Sequence, residues 1–508
     1  MRPLTSSPLA PGSGAVGFLL LLTAALLLLV PAFVNGAPWL FPDSVGYFRA
    51  GEATVAKIAE FLHQPGETDL TKDLNTITLA DRARDGISNA RSPFYGTILV
   101  LLNGLLGDWG MVVFQSAVVV ICFHFAWSRM FPAGPTLLAR SAWILAIGLS
   151  ALAGLAAFTG LVMPDVFTSL MLLALAMLLA GQGNGTRIGW LLLLLAALLF
   201  HKAHLAIAIL VVSLAFALQL LRRRSAVQLL PIVAVIALGG FGHWVVGAVV
   251  ERLSGQPLHN PPFVLARLVA DGTASLYLAD VCPDSGLLLC QYRDRLPMPA
   301  HVFLWAPDPD IGLYRTLPIE KQRIVAAETV PILRGVLLHH PLAQIEASFR
   351  NVVGQLATLG VNEFRQPPVP LERMAEVPPM RGLLEGWSTT RIGSNRMPLD
   401  AISVAMRVVY AASTLALLAA VVWVLRTPRP LRAQRLADPR VGIVAWLMFG
   451  VLVNALVSGV LSGVFERYQG RVAWLLPVAA IGLWCVLLGQ PNEARARTRA
   501  DRLPAQPG

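Results

Sequence analysis

The sequence predicts an all-α polytopic membrane protein with about 10 transmembrane helices and two extracytoplasmic loops that contain membrane-surface helices. The chain of 508 residues is 56% hydrophobic and only 14% charged, so it is more apolar than soluble domains of this total length need to be. Apolar runs near the length that crosses a bilayer recur along it. Most of the excess behind the net charge of +11 is arginine between these runs, where the positive-inside rule places it.

The candidate crossings are ten apolar runs. They lie at residues 15–34, 111–128, 141–161, 166–181, 189–200, 205–221, 226–250, 402–425, 441–462 and 471–489. The first run is longer than the core of a typical signal peptide, about 7 to 15 residues, so we expect an uncleaved first helix. We interpret the short apolar segment from Gly96 to Leu106 as a re-entrant or membrane-surface helix, because a further crossing there would export the later arginines.

Alternating the crossings from a cytoplasmic N-terminus places the basic gaps on one side of the membrane. These gaps hold Arg129 and Arg140, Arg187, Arg222 to Arg224, the arginines from Arg426 to Arg440, and the tail arginines from Arg495 to Arg502. Both termini are then cytoplasmic, in a bacterial-type inner membrane. The active site is expected on the periplasmic face, where the two long loops lie.

The topology divides the chain into four parts. They are an N-terminal transmembrane module at 1–250 with a first periplasmic loop at 35–110, a large periplasmic loop at 251–401, C-terminal transmembrane helices at 402–489, and a cytoplasmic tail at 490–508. Turn-rich stretches around an amphipathic helix near 319–356 predict small membrane-lying helices in the large loop rather than a globular domain. We interpret Cys282 and Cys290 there as a disulfide of an oxidising compartment, with two free thiols as the alternative.

Several functional classes are disfavoured by what the sequence lacks. It has no zinc-ligand spacing, Walker loop, dinucleotide fingerprint or Gly-x-Ser-x-Gly elbow, which argues against an ATP-driven pump or an esterase. It also has no soluble module that combines basic and aromatic residues, so nucleic acid is not an expected partner. Energy must then come from an activated substrate or an ion gradient.

Two carboxylates lie at the predicted outer ends of apolar runs. Asp43 stands in APWLFPDSVGYF, close to Ser44 and Tyr47, and Asp165 stands in LVMPDVFTSLMLL. Each follows a proline at a predicted helix start, so a helix N-cap is the structural alternative for both. Charges at the membrane boundary are costly and tend to be functional, which favours a site that uses both acids.

A predicted turn between two crossings carries three groups that can hold a positive charge. His201, Lys202 and His204 lie in FHKAHL, which is too tight for anything but a turn. Interfacial lysine and histidine side chains can simply reach towards water along the lipid headgroups. Three such groups at one turn also suit the binding of a phosphate.

The arginines of the predicted outer face are the second set of candidate phosphate ligands. Arg467 and Arg471 flank Tyr468 in GVFERYQGRVAWLLP, against the positive-inside trend, so they need a partner. A bidentate phosphate contact or a salt bridge to an outer acid such as Glu466 would supply one. Arg91 in ARSPFYG belongs to the same face, with lipid headgroups as an equal alternative. Weaker candidates are Arg350 and Arg365.

Taken together, the architecture and four motifs resemble the GT-C class of integral-membrane glycosyltransferases that use polyprenyl-phosphate sugars, including protein mannosyltransferases and lipid A aminoarabinose transferases. The motifs are Asp43 to Tyr47, RSPFYG, MPD before the fourth crossing, and ERYQGR. The resemblance implies transfer of a sugar from a polyprenyl-phosphate carrier to a lipid, glycan or protein acceptor, with inversion by direct displacement. This chain has Asp-Ser where the protein mannosyltransferases often have Asp-Glu, so the acceptor class stays open.

The same resemblance assigns roles to residues. It implies that Asp43 is the catalytic base and that Asp165 is a second acid of the site. The carrier phosphate maps to His201, Lys202 and the two arginines of ERYQGR. No cofactor is firmly implied, although the two carboxylates leave room for a shared divalent cation.

Two other functions remain as alternatives. An O-antigen-type polymerase or ligase also has a large outer loop and arginines, but it would not need Asp43. A transporter or flippase of a lipid-linked or anionic solute would use outer cations and membrane acids as well. Its path should show polar groups at mid-bilayer, whereas the charges here cluster at one face.

Overall fold

The computed structural model describes residues 13–62, 91–130, 137–180, 184–254, 260–367 and 381–500. Most of these residues are helical, and the β-structure among them is one isolated bridge between Trp39 and Leu161. The all-α polytopic membrane class predicted from the sequence is confirmed by the number and apolar character of the helices.

The described residues of the N-terminal half form ten α-helices. They are α1 (Ser13–Asn35), α2 (Pro42–Leu62), α3 (Pro93–Leu106), α4 (Gly110–Met130), α5 (Leu137–Ser150), α6 (Ala156–Thr159), α7 (Asp165–Leu179), α8 (Asn184–Phe200), α9 (Ala203–Leu221) and α10 (Leu230–Ser254). The large loop contains α11 (Phe263–Asp271), α12 (Thr273–Val281), α13 (Ala300–Trp305), α14 (Ile319–Ala327), α15 (Thr329–His339), α16 (Pro341–Ala357) and α17 (Arg381–Trp387). The C-terminal part comprises α18 (Leu399–Arg426), α19 (Arg429–Leu436), α20 (Pro439–Leu461), α21 (Glu466–Ala473) and α22 (Leu475–Ala500).

Eight stretches of the described chain are long and apolar enough to cross a membrane. They are Val16–Asn35, Pro93–Met130, Arg140–Thr159, Ala203–Leu221, Val227–Arg252, Leu399–Arg426, Pro439–Leu461 and Glu466–Leu488. Two shorter apolar helices, Asp165–Leu179 and Gly185–Phe200, lie at the predicted fourth and fifth crossings. Large apolar side chains such as Phe18 and Trp244 point outward, each 66% exposed, which suits contact with lipid.

The apolar segment from Gly96 to Leu106 lies in a helix of its own. Ser92 caps the start of α3 by accepting a hydrogen bond from the Phe94 amide at 3.2 Å, and Pro93 occupies its first turn. The helix ends at Gly107, whose φ of 64° is in the left-handed region that glycine tolerates. The chain therefore turns before α4 begins, as the sequence predicted when it separated this segment from the crossing at 111–128.

Helices α2 and α3 cross with their backbones in contact. At the crossing, Gly51 meets Gly96, and a Cβ atom on either would run into the other helix's backbone. Asp43 lies in the first turn of α2, and Arg91 lies just before α3. The crossing therefore brings the two short motifs that contain these residues to one place.

Helix α7 is the centre of the bundle. Its residues from Asp165 to Met177 are all buried, and it packs against α4, α8, α9, α20 and α21. A helix that is apolar on every side needs either other helices or lipid around it, and the burial of α7 shows that other helices surround it. Asp165, at its first turn, is therefore the one charge on this central helix.

The large loop is more organised than the sequence predicted. A second hydrophobic core, separate from that of the bundle, includes Leu265, Phe303, Tyr314 and Ile332, so the helices of the large loop also pack on one another. The sulfur atoms of Cys282 and Cys290 are bonded, with their Cα atoms 5.6 Å apart.

The predicted amphipathic helix near 319–356 is three helices, α14, α15 and α16. The first break lies at Glu328, whose carboxylate accepts hydrogen bonds from the Leu288 and Leu289 amides at 2.5 and 3.1 Å. The second lies at His340, directly before Pro341, which can begin a helix but cannot continue one.

Candidate active site

A short backbone bridge brings the two predicted acids together. The Trp39 amide donates to the Gly160 carbonyl at 2.8 Å, and the Val162 amide donates to the Trp39 carbonyl at 2.9 Å. This pairing ties the segment before α2 to the segment before α7. Asp43 and Asp165, each in the first turn of its helix, consequently face the same region of the protein.

Neither carboxylate caps its own helix. Before α2, the Phe41 amide donates to the Ser44 hydroxyl at 3.1 Å, whereas the Asp43 carboxylate contacts Arg91 and Arg467. The N-cap position of α7 is Pro164, and no side chain bonds the first amides of that helix. Both acids instead contact arginines, which removes capping as the explanation for their presence.

Three arginines and two carboxylates form one charge cluster. Arg91 donates from Nη2 to Oδ1 of Asp43. The Nη1 atom of Arg467 lies 3.5 Å from Oδ2 of Asp43 and 3.7 Å from Oδ2 of Asp165, and so bridges the two acids. Arg471 completes the chain, with Nη1 3.4 Å from Oδ1 of Asp165. The five ionised side chains leave one net positive charge.

The two arginines of α21 are buried with unmet hydrogen-bond donors. Arg467 is 8% exposed and Arg471 is 3% exposed. The Nε atom of each has no hydrogen-bond partner in the described part of the chain. The Nη1 atom of Arg467 has only a sulfur acceptor, Sδ of Met163 at 3.7 Å, besides its long ion pairs. Buried donors without acceptors are costly, so this site is suited to a ligand that brings oxygen atoms.

Aromatic rings line the cationic side of the cluster. The guanidinium carbon of Arg467 lies 4.3 Å from the centre of the Phe41 ring. The half-buried Tyr468 ring is shared, 5.2 Å from Arg467 and 5.0 Å from Arg471, and its hydroxyl lies 3.2 Å from that of Ser462. These rings stabilise the guanidinium charges without using up their N–H donors.

The protonation state of Asp43 is set by opposing effects. Burial alone would raise the pKa of its carboxyl, but the charges of Arg91 and Arg467 and their hydrogen bonds outweigh it and hold the pKa below the ordinary value. Asp43 is therefore ionised at neutral pH. For Tyr47, burial raises the pKa of the phenol well above its usual range, so it stays neutral beside Arg91, whose guanidinium carbon lies 6.0 Å from the ring centre.

The turn at His201, Lys202 and His204 is less cationic than the sequence suggested. His204 is fully buried, with Nδ1 2.6 Å from the Ala197 carbonyl and Nε2 2.8 Å from the Thr168 hydroxyl. Because the carbonyl oxygen can only accept, Nδ1 carries a proton, and the ring joins α7 to α9 through its contact with the Thr168 hydroxyl.

His201 lies near the cluster, since the charges of its arginines act on the ring, and burial affects both His201 and Lys202. Burial lowers the pKa of His201 well below its usual value, and the neighbouring His204 and the arginines of the cluster, Arg471 first, lower it further. A neutral imidazole can still donate or accept one hydrogen bond. Burial also lowers the pKa of Lys202, which is half-buried.

Sequence reasoning missed Asn454. This fully buried side chain accepts from Nη2 of Arg471 at 3.2 Å and donates to the Tyr468 carbonyl at 2.8 Å. It therefore holds α21 against α20. The signal was available, since a lone asparagine inside an apolar crossing has to find a polar partner.

A second missed residue is Glu363, in the large loop. Its carboxylate lies beside the backbone amides of Glu466 and Arg467, at the start of α21, and the charge of Arg467 acts on it. Burial raises its pKa all the same. In return, Glu466 accepts a hydrogen bond from the Asn362 amide at 2.9 Å. This reciprocal contact fixes the large loop next to the charge cluster.

The weaker arginine candidates lie outside the cluster. Arg365 pairs with Asp400 at 2.5 Å, and Arg350 lies 3.9 Å from Glu346, in both cases with exposed side chains. Among the described residues, no group of three or more histidine, cysteine, aspartate or glutamate side chains is placed to hold a metal ion. A cation shared by Asp43 and Asp165 would have to displace Arg467, which now bridges them.

Comparison with known proteins adds a weak structural similarity. No protein-family model and no curated protein matches the sequence. The chain is similar to the crystal structure of ArnT from Cupriavidus metallidurans in the apo state, with 14% sequence identity and a TM-score of 0.31 over 92% of this chain and 78% of that one. Because the TM-score is low, what this site does has to be inferred from its own residues.

Proposed function

We propose that this protein is a glycosyltransferase that moves a sugar from a polyprenyl-phosphate carrier to an extracytoplasmic acceptor. The observation that carries the proposal is the pair of buried arginines, Arg467 and Arg471, whose Nε donors have no acceptor among the described residues although they lie next to two carboxylates. A phosphate presents several acceptor oxygens in the geometry that guanidinium groups bind. The adjacent carboxylate of Asp43 can accept a proton from the acceptor.

The net charge of the cluster balances the charge of the substrate both before and after sugar transfer. A sugar linked to a polyprenyl phosphate is a phosphodiester with one negative charge, which neutralises the one net positive charge of the site. In the transfer, the acceptor oxygen bonds to the anomeric carbon, the bond from that carbon to the phosphate oxygen breaks, and the acceptor proton passes to Asp43. The leaving phosphate gains one negative charge while Asp43 loses one, so the site stays neutral.

Asp43 is the base in this scheme because it is ionised and is the more accessible of the two acids, with 23% of its side chain exposed against 2% for Asp165. Its pairing with Arg91 and Arg467 makes it a weak base before substrate binds. A bound phosphate draws the same two arginines towards its own oxygens and adds a negative charge nearby. Both effects raise the pKa of Asp43, so its affinity for a proton increases when the donor substrate is in place.

In this scheme Asp165 positions the two arginines and does not contact the acceptor substrate. Its two carboxylate oxygens face Arg467 and Arg471, one each, and its burial leaves little room for a hydroxyl. This arrangement fixes the spacing of the two guanidinium groups. In the proposed reaction they stabilise the charge that develops on the departing phosphate, and direct displacement at the anomeric carbon inverts its configuration.

The test is transfer of radiolabelled sugar from polyprenyl-phosphate sugars of native membranes to endogenous acceptors. Wild type is compared with Asp43→Asn and with Asp400→Asn, whose carboxylate is 73% exposed and pairs with Arg365 outside the cluster. We expect Asp43→Asn to lose about 10²-fold or more in rate, as for loss of a general base, and Asp400→Asn to match wild type.

The other outcomes are informative as well. A wild-type protein that yields no product with any carrier, although folded and membrane-inserted, would contradict transferase activity and favour a transporter or flippase. Full activity in Asp43→Asn would leave the transferase standing but remove Asp43 as its base. The mobility of the labelled product identifies the acceptor as lipid, glycan or protein.

A further inference from the structure

Helix α16 exposes its apolar face and buries its polar one. Four large apolar side chains recur every three or four residues along the outward face and are 79%, 64%, 70% and 49% exposed. They are Leu342, Ile345, Phe349 and Val353. In a water-soluble domain this stripe would face the core. Its outward position therefore calls for an apolar surrounding.

Hydrogen bonds prevent the helix from rotating to hide this stripe. On the opposite face, Gln344 accepts from the Thr273 hydroxyl at 2.7 Å, and Asn351 donates to Oδ1 of Asp271 at 2.9 Å. Near the end of the helix, Gln355 donates to the Phe465 carbonyl at 2.8 Å and accepts from the Phe465 amide at 3.1 Å. Rotation would leave these buried groups without partners, which costs more than a surface contact returns.

The position of α16 identifies what covers the stripe. The helix packs against α20, which is one of the candidate membrane spans. That span has outward apolar residues of its own, Leu452, Leu456 and Leu461, each at least 40% exposed. α16 therefore packs beside a span whose own outward side chains suit contact with lipid.

We propose that α16 is a monotopic membrane helix whose stripe from Leu342 to Val353 is embedded in the lipid leaflet on the side of the candidate site. Glu346 and Arg350 lie at the edge of the stripe, 64% to 80% exposed and 3.9 Å apart, where they reach the headgroups.

This membrane contact also sets the depth of the charge cluster. Gln355, at the end of α16, is bonded to Phe465, two residues before Arg467. An α16 embedded in the leaflet holds Arg467 near the level at which lipid phosphates lie. The inference stands on α16 alone and does not depend on the transferase activity.

The test uses nitroxide spin labels on the full-length protein in vesicles of phosphatidylcholine and phosphatidylglycerol. Cys122→Ser and Cys485→Ser remove the free thiols and leave the disulfide intact. The label is placed by Phe349→Cys, or by Ile345→Cys if the first variant fails to fold. Power saturation then compares collisions with oxygen, which concentrates in lipid, and with a water-soluble nickel chelate.

Two matched positions calibrate the result. Leu456→Cys reports a lipid-facing site on the span, and Asp310→Cys reports an exposed site of the large loop. We expect the α16 label to favour oxygen over nickel several-fold, as the label at 456 does. A label as open to nickel as the one at 310 would overturn the proposal. Shielding from both reagents would overturn it too, because a protein and not the lipid would then cover the stripe.

Discussion

Neutralising Asp165 should destabilise the protein more than neutralising Asp43, although both belong to one cluster. Asp165 is the only carboxylate within ion-pair distance of Arg471 in the described chain, and its side chain is 2% exposed. Asp165→Asn therefore leaves Arg471 buried with a neutral partner in place of a charged one. Breaking a buried ion pair by removing one partner typically costs about 3–5 kcal/mol, most of which is the burial of the remaining charge.

The expected cost at Asp43 is smaller. The side chains of Asp43 and Arg91 are 23% and 26% exposed, so water solvates Arg91 once the carboxylate is neutral. The buried Arg467 keeps Asp165 as a charged partner. The free energy of unfolding should fall by about 1 kcal/mol in Asp43→Asn, near the value for exposed pairs. Both variants remove one negative charge from the same cluster. A difference between their free energies of unfolding therefore reports the difference in burial and not a difference in net charge.

Unfolding by sodium dodecyl sulfate in mixed micelles measures these free energies. The double variant Asp165→Asn with Arg471→Gln supplies the internal check, because it removes the stranded charge and should recover part of the lost stability. The reasoning is refuted if Asp165→Asn is no less stable than Asp43→Asn. It is also refuted if the double variant is no more stable than Asp165→Asn alone.

Two further predictions concern residues that the sequence did not single out. Asn454→Leu removes the acceptor for Nη2 of Arg471 and the donor to the Tyr468 carbonyl. Sugar transfer, assayed on membranes that contain equal amounts of inserted protein, should therefore slow about 10-fold or more. An unchanged rate would argue against this positioning role. Burial raises the pKa of Glu52 to about 7 against an ordinary 4.5, with Arg49 partly offsetting it. Between these values the folded protein keeps a proton that the unfolded chain releases, so the contribution of Glu52 to stability is fully present below about pH 4.5 and is lost as the pH rises through about 7. Glu52→Gln should remove that part of the pH dependence of unfolding; a wild-type-like profile in the variant would contradict it.

The membrane architecture could be predicted from sequence because the bilayer imposes a length and a polarity on each crossing. All ten apolar runs coincide with apolar helices, including the two short ones. The partners of Asp43 could not be predicted in the same way. Arg91 and Arg467 meet it through the packing of helices that are distant in the chain, and no local pattern records that contact.

The large loop shows the limits of periodicity more directly. The repeat of apolar residues predicted one amphipathic helix near 319–356, and α16 is the last of the three helices found there. Periodicity does not say which face points inwards, because an apolar stripe fits a core and a lipid surface equally well. The division of 319–356 into three helices had a visible signal in Pro341, which the predicted single helix overlooked.

The contact between Gly51 and Gly96 gives two residues without side chains control over the geometry of the charge cluster. The distance from Asp43 to Arg91 depends on how closely two stretches of main chain approach, and main chain cannot change rotamer to absorb an intruding methyl group. A substitution at either glycine would push helices α2 and α3 apart and lengthen the distance between Asp43 and Arg91. Gly51 and Gly96 therefore constrain the geometry of this site as strictly as its charged residues do, although neither has a functional group.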